Sequence, residues 1–167
     1  EITSALESVK QVLELVASGA LLGEVLAAVT SLVERQSPGD VCSVLLLSED
    51  GRRLHSAAGA SLPASYASAI DGSEIGPTAG SCGTAAFTRQ RVIVTDIATD
   101  PRWEPYRETA LAHGLRACWS QPAISRDGRK VLGTVAHYSR TPGEPAAESL
   151  RLLETAAHLA QIAIEQS

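Results

Sequence analysis

Two Asp-Gly dipeptides, each set between short apolar runs, constrain the fold of this chain more than any other feature. They are Asp50-Gly51 and Asp127-Gly128. The runs that flank them are residues 41–47, 54–58, 117–124 and 131–139. An Asp-Gly pair between two strands favours a tight hairpin turn, because these residues tolerate the positive φ angles that such a turn needs. Strands joined by hairpins are antiparallel neighbours, so the sequence predicts an antiparallel sheet rather than alternating βαβ units.

Helical periodicity marks both ends of the chain. Near the start, apolar residues recur at spacings of three and four, which is one face of a helix; they are Leu6, Val9, Leu13 and Val16. A second helix runs up to the breaker Ser37-Pro38-Gly39-Asp40, and a third covers 146–165. The stretch between the two hairpins is irregular, and long irregular stretches in compact domains are usually functional. The order of elements predicts an α+β fold.

Length, charge and cysteine content narrow the class of protein. The 167 residues suit a single domain, taken here as 1–167, and the net charge of −5 argues against nucleic acid and anionic membranes as partners. No apolar run approaches the ~20 residues that span a bilayer, and the first residues show no basic signal-peptide region. An odd number of cysteines without CxxC spacing predicts neither disulfides nor a metal site, and favours a reducing cytoplasm.

Four stretches in the second half of the chain carry a family resemblance. They are GPTAGSCGTAA (76–86), VIVTDIATDPRW (92–103), AHGLRACWSQP (112–122) and LGTVA (132–136). In this order and with these gaps they resemble the GAF domains of bacterial signal-transduction proteins, over roughly residues 20 to 165. Such domains occur in two-component histidine kinases and in enzymes of cyclic-di-GMP turnover.

The resemblance implies a specific architecture. A central five- or six-stranded antiparallel sheet carries the N- and C-terminal helices on one face. A lid of short helices and loops, formed by the irregular middle of the chain, covers a pocket on the other face. Residues 1–20 are then a flanking helix, and the last helix leads to an output domain in the full-length protein.

The resemblance also implies which residues line the pocket. The matching positions of photoreceptor GAF domains, together with strand alternation, give the candidate set Trp103, Tyr106, Cys118, Ser120 and Tyr138. The same alternation places Trp119 on the helix-covered face. These side chains either surround a ligand or fill a collapsed core, and the sequence leaves both readings open.

Cys82 raises the question of catalysis. GAF enzymes that reduce free methionine-(R)-sulfoxide carry a cysteine in a Gly-x-x-Cys-Gly segment similar to Gly80–Gly83. They have two further cysteines downstream in a connecting loop, where this chain has Asp-Pro-Arg-Trp. A free cysteine is more often a small buried apolar residue than a reactive one. We therefore expect no catalytic residue, with a reductase of this type as the alternative.

The sequence argues against two common cofactors of such pockets, bilin and haem. Bilin attachment needs a cysteine beside a histidine near the lid, and residues 95–113 contain no cysteine. Haem needs an axial ligand, for which His113 is the candidate, but a lone histidine is more often a polar surface residue. The ligand is therefore an unidentified small molecule, and no cofactor is required by the sequence.

The terminal helices suggest how the domain assembles. The last helix has one apolar stripe through Leu150, Leu153, Ala157, Ala160 and Ile164. It has a second through Leu152, Ala156, Leu159 and Ala163. One stripe covers a sheet, so the second should stay exposed in a monomer and pair in a homodimer with the apolar face of the first helix. The alternative is that both stripes are buried within one chain, the second against the first helix. The sequence thus predicts a non-catalytic sensory domain that relays a signal through its terminal helices, with a ligand-free dimerisation module as a further alternative.

Overall fold

The computed structural model describes residues 2–167, with side chains from residue 4 onward. Within this range the chain forms six α-helices, six strands and one 3-10 turn. The helices are α1 Ile2–Ala17, α2 Leu22–Gln36, α3 Ala64–Ile70, α4 Gly80–Thr88, α5 Arg107–Ala112 and α6 Ala147–Gln166. The strands are β1 Val41–Leu47, β2 Arg53–Ala58, β3 Ser73–Glu74, β4 Val92–Val94, β5 Ala117–Ile124 and β6 Val131–Ser139. The 3-10 turn is Pro101–Trp103.

The six strands form one antiparallel sheet in the order β3-β2-β1-β6-β5-β4. The two predicted hairpins are present, and Gly51 and Gly128 adopt φ angles of 74° and 76° in their turns. The hairpins join through the central pair β1–β6, in which Val44 lies opposite Val135. The α+β class and the antiparallel sheet predicted from the sequence are confirmed.

Helices α1, α2 and α6 lie on one face of the sheet. Helices α2 and α6 pack against each other and against the central strands, and α1 packs mainly along α2. The core between these layers is apolar and includes Val29, Leu32, Val135 and Leu153. Trp119 of β5 belongs to this core, as strand alternation predicts.

Both apolar stripes of α6 are buried within the chain. Ala156, Leu159 and Ala163 of the second stripe are buried, and Leu152 is partly so. The expectation that this stripe would stay exposed in a monomer is wrong, because α6 contacts α2 as well as the sheet and therefore needs two apolar faces. A dimer of this domain cannot be built on that stripe.

The exposed apolar face belongs to α1 instead. Val12 and Ser8 are buried toward α2, where Arg35 Nη1 donates a hydrogen bond to Ser8 Oγ at 3.2 Å. Leu6 and Leu13 point away and are 64% and 43% exposed. None of the helices in residues 2–167 is long and apolar enough to cross a membrane.

Candidate functional site

The sheet face opposite the terminal helices is covered by the lid, which consists of α3, α4, the Pro101–Trp103 turn and α5. Beneath it lies a second apolar core that includes Tyr66, Ile97, Leu115 and Tyr138. This core is separate from the one under α2 and α6, since the sheet lies between them. The two faces of β5 and β6 therefore connect the lid to the terminal helices.

A small cavity opens between the lid and strands β1, β2 and β6. Its volume is about 30 Å³. The lining residues are Leu45, Leu54, Tyr66, Ile70, Ser73, Ala79, Gly80, Ser81, Cys82, Gly83, Trp103, Tyr106 and Tyr138. None of them carries a charge, and most of the surface is apolar or aromatic. Because a single water needs at least roughly 10–15 Å³ by this measure, the cavity holds only a very small molecule unless the lid moves.

Tyr138 is the centre of an aromatic cluster that forms the cavity wall. Its ring meets those of Tyr66 and Trp103 edge-on, with centroids 5.7 and 6.4 Å apart. Tyr66 Oη and Tyr138 Oη are hydrogen-bonded at 3.0 Å. Tyr106 continues the cluster, with its ring 6.3 Å from that of Trp103. Edge-to-face pairs of this kind add about 0.5–1.5 kcal/mol each beyond burial, so the cluster orders the lid over the sheet.

The glycines at the start of α4 let this helix lie close to its neighbours. Gly80 has a φ of +72°, and a Cβ atom there would sit 3.5 Å from the Tyr106 ring. At Gly83 a Cβ atom would lie only 2.6 Å from the Cβ of Ala79. A side chain at either position would strain the backbone or displace the cavity wall.

Ser81 links three elements at the floor of the lid. Its hydroxyl donates to the backbone carbonyl of Cys118 in β5 at 2.8 Å. It also accepts a hydrogen bond from Trp103 Nε1 at 3.0 Å. The 3-10 turn, α4 and the sheet are thus joined by one fully buried hydroxyl. A movement of Trp103 would therefore shift the Ser81 hydroxyl and, through it, the backbone of β5.

The Asp-Pro-Arg-Trp segment holds Trp103 in place. Asp100 caps the turn by accepting from the Arg102 backbone N–H at 2.9 Å, and its carboxylate also binds the Arg102 guanidinium. These bonds to Arg102 lower the pKa of Asp100 below its ordinary value. Arg107 donates to the Asp100 carbonyl at 2.7 Å and to that of Ile97 at 3.0 Å. The segment is therefore a rigid support for the aromatic wall.

The structure brings only part of the predicted pocket set to the cavity. Trp103, Tyr106 and Tyr138 line it. Cys118 and Ser120 are on the same side of the sheet but are fully buried and are not among the lining residues. Residues of α4 cover them, since Ser81 binds the Cys118 carbonyl and Cys82 binds the Ser120 hydroxyl. Whether any of the five contacts a ligand remains a prediction.

Tyr66 is the aromatic cavity residue that the predicted pocket set lacks. It is fully buried, pairs with Tyr138 and lies 5.6 Å from the ring of His113. Aromatic residues make up only 4% of this chain, so an aromatic side chain in a short helix beside the lid was a usable signal. His113 itself is held at both ring nitrogens, by Ser65 Oγ and the Thr109 carbonyl, each at 2.7 Å.

The thiol of Cys82 has an unusual environment for a buried cysteine. The neighbouring Cys118 thiol lowers its pKa most, and the hydrogen bond from Ser120 and the nearby Thr134 hydroxyl lower it further, against the opposing effect of burial. Burial raises the pKa of Cys118 well above its ordinary value. Within residues 2–167 no three His, Cys, Asp or Glu side chains are grouped so as to hold a metal ion.

Comparison with known sequences places the chain in a family. The sequence model of the GAF domain family matches residues 19–165. The methyl sulfide methyltransferase-associated sensor of Methanosarcina acetivorans is 44% identical over 158 residues, which cover 95% of this chain. The chain spans 16% of the length of that relative.

Solved structures agree with the fold. The phycoerythrobilin-bound GAF domain of a cyanobacterial phytochrome matches with a TM-score of 0.74 and 14% identity, covering 100% of this chain and 97% of that one. The free methionine-R-sulfoxide reductase of Neisseria meningitidis, solved with its substrate, matches with a TM-score of 0.72 and 18% identity, covering 98% and 89%. At these identities the likeness concerns the fold alone. With its sequence matched over 19–165, its antiparallel sheet and its lid, the chain belongs to the GAF domain family.

Proposed function

We propose that this chain is a non-catalytic sensory domain whose cavity binds a small uncharged molecule. The observation that carries the proposal is the partly open cavity beside Trp103 and Tyr106, lined mostly by apolar and aromatic side chains and by no acidic or basic residue. Ligand pockets are usually concave and mostly apolar, with few polar groups. The sensor name of the Methanosarcina acetivorans relative supports the same role.

The signal passes from the lid through the sheet to the terminal helices. Ligand entry displaces Tyr106, which is only half-buried, and moves its neighbour Trp103. Trp103 is joined through Ser81 to the β5 backbone. Strands β5 and β6 contact α6 on their other face. In the full-length protein α6 then leads to an output domain, whose movement is the response.

The domain works as a homodimer through its terminal helices. Three of the four large apolar side chains exposed in the described chain, Leu6, Leu13 and Leu21, lie on α1 or between α1 and α2. Contiguous exposed apolar residues usually mark an interface. A two-fold axis beside α1 would bury these residues against their copies, and this is the commonest symmetry of homo-oligomers.

The proposed compartment is the reducing cytoplasm. The three cysteines are buried and none is in a disulfide. Free thiols persist where thioredoxin and glutathione keep them reduced.

Binding of an uncharged molecule can be tested with two probes of matched size, benzyl alcohol and benzoate. Trp103 lines the cavity, whereas Trp119 lies on the other face of the sheet. In Trp119→Phe the remaining indole therefore reports on the cavity. We expect a saturable change of its fluorescence with benzyl alcohol and none with benzoate, because no cavity group compensates the desolvation of a carboxylate.

Two controls make this test specific. Ser73 lines the cavity beside Ile70, so Ser73→Leu fills the space and should remove the response to the alcohol. Backbone NMR shifts of the wild-type chain provide a second readout that does not depend on the tryptophan substitution. Equal binding of benzoate, or no saturable response to the alcohol in either readout, contradicts the proposal.

We expect no reduction of free methionine sulfoxide. Turnover in that group of enzymes relies on cysteines in the connecting loop, and this chain has Asp100, Arg102 and Trp103 there, bonded into a rigid turn. An NADPH-coupled thioredoxin assay with free methionine-(R)-sulfoxide should give the rate of the protein-free blank. Turnover that is lost in Cys82→Ser or Cys118→Ser, but kept in Cys42→Ala, would replace the sensory proposal with the enzyme.

A further inference from the structure

Two of the three cysteines meet under the lid. Cys82 of α4 and Cys118 of β5 both belong to the core on the lid side of the sheet, whereas Cys42 of β1 belongs to the core under the helices. Ser81 Oγ donates to the Cys118 carbonyl at 2.8 Å, and Ser120 Oγ donates to Cys82 Sγ at 3.3 Å. Adjacent residues of α4 thus bind two residues on one face of β5. This double attachment places both side chains in the same buried space between α4 and β5, and Cys118 is the neighbour that lowers the pKa of Cys82 most.

The surroundings of the pair favour charge on one sulfur only. Thr134 Oγ1 is fully buried, has no other hydrogen-bond partner within the described chain, and lies close enough to Cys82 to lower its pKa. Together with Cys118 and the hydrogen bond from Ser120, this lowers the pKa of Cys82 and favours its thiolate, against the opposing effect of burial. The pKa of Cys118 is raised, so Cys118 keeps its proton. Cys82 is therefore the nucleophile of the pair and Cys118 its neutral partner.

The cavity decides which reagents reach Cys82. Cys82 lines the cavity, and Cys118 does not. With a volume of about 30 Å³ and no lining residue that carries a charge apart from the Cys82 thiolate, the cavity admits a neutral molecule of about two non-hydrogen atoms while the lid stays in place. Hydrogen peroxide is an oxidant of this size and charge and needs no movement of the lid, whereas an organic hydroperoxide or a disulfide such as oxidised glutathione enters only when the lid moves.

We propose that Cys82 and Cys118 form a peroxide-sensitive dithiol that closes to a disulfide between α4 and β5. The Cys82 thiolate attacks one oxygen of hydrogen peroxide, the O–O bond breaks, and hydroxide leaves, giving a sulfenic acid at Cys82. The Cys118 sulfur then displaces the sulfenic hydroxyl, which leaves as water with the Cys118 proton. Peroxide is reduced by two electrons and the two thiols are oxidised to one disulfide. A cellular thiol reductant reverses the step.

Oxidation would act on the lid as well as on the thiols. Disulfide formation removes the sulfur acceptor from Ser120 and fixes α4 to β5 beside Ser81, which holds Trp103. The inference does not depend on the ligand binding proposed above, because the pair needs no molecule other than the oxidant. Formation of the disulfide would thus make the position of the lid depend on the redox state of the two cysteines.

The first test uses the wild-type chain. After treatment with equimolar hydrogen peroxide we expect two of the three thiols to disappear, an intact mass lower by two hydrogens, and a peptide that joins Cys82 to Cys118. Dithiothreitol should restore the mass. A bulkier oxidant, cumene hydroperoxide, should react at least tenfold more slowly. Loss of Cys42 at the same rate as Cys82, or complete thiol loss without the Cys82–Cys118 link, overturns the proposal.

Variants then distinguish the nucleophile, Cys82, from its partner, Cys118. Cys118→Ser should accumulate a sulfenic acid at Cys82 that dimedone traps when the oxidised protein is unfolded, whereas Cys82→Ser should slow the oxidation of Cys118 at least tenfold. Cys42→Ala is the matched control and should form the link at the wild-type rate. Thr134→Val should raise the pH midpoint of the reaction of Cys82 with hydrogen peroxide above that of the wild type. Oxidation of Cys118 at an unchanged rate in Cys82→Ser contradicts the assignment of the nucleophile.

Discussion

Replacing Gly133 with alanine should cost this domain at least about 3 kcal/mol of unfolding free energy. Gly133 lies in β6 opposite Leu46 of β1, in the central pair that joins the two hairpins. A Cβ atom there would be 2.1 Å from the Leu45 carbonyl oxygen and 3.2 Å from the Leu46 Cα. Both neighbours are backbone, so no side-chain rotation relieves the clash and the β1–β6 ladder itself must open. The total free energy of unfolding of a domain is about 5–15 kcal/mol, so this loss is a large fraction of it.

Chemical unfolding followed by circular dichroism measures the effect, and Gly23→Ala is the matched control. Gly23 lies in α2, and nothing lies within 4 Å of its built Cβ atom. The same substitution there should stabilise the domain by up to about 1 kcal/mol, since alanine is the better helix former. If Gly133→Ala unfolds at the denaturant concentration of the wild type, the close approach of β1 to β6 is not a requirement of the fold.

The contrast between local and long-range signals explains how much of the fold the sequence predicts. The turns at Gly51 and Gly128 are encoded by adjacent residues, so both hairpins could be predicted directly. The pairing of β1 with β6 joins distant residues, so no local pattern predicts it, and the family resemblance implied only that the strands share one antiparallel sheet. Strand β3, Ser73–Glu74, was missed because two residues carry no periodicity. Burial of the second α6 stripe was missed because it depends on how α2 packs, which no pattern within α6 reveals.

The same distinction applies to the candidate site. Strand alternation correctly assigns Cys118 and Trp119 to opposite faces, because alternation is a property of the strand itself. Whether a residue on the lid side reaches the cavity depends on α4, which covers Cys118 and Ser120 but leaves Tyr138 at the wall. The proximity of Cys82 to Cys118 likewise results from the docking of α4 on β5. Spacing along a strand therefore predicts the face of the sheet on which a side chain lies, but it does not predict which residues of other elements contact that side chain.

Substitution of Leu6 and Leu13 by glutamate should convert a homodimer of this domain into a monomer. Each dimer would lose four apolar side chains from its interface, and glutamates would face their copies across the two-fold axis. Burial of one leucine contributes about 1.5–3 kcal/mol, so even partial burial makes an increase of at least 100-fold in the dissociation constant the expected result. Sedimentation velocity or light scattering over a range of concentrations measures it.

The variant should remain folded, and this separates loss of the dimer from loss of structure. Leu6 and Leu13 are 64% and 43% exposed within one chain, so the monomer loses little core when they change. Phe87 provides the matched control, because it is an exposed apolar residue, 53% accessible, on α4 at the lid side. Phe87→Glu should leave the oligomeric state and the dissociation constant of the dimer unchanged. A wild-type chain that stays monomeric at high concentration, or a double variant that still dimerises with wild-type affinity, shows that the α1 face is not the interface.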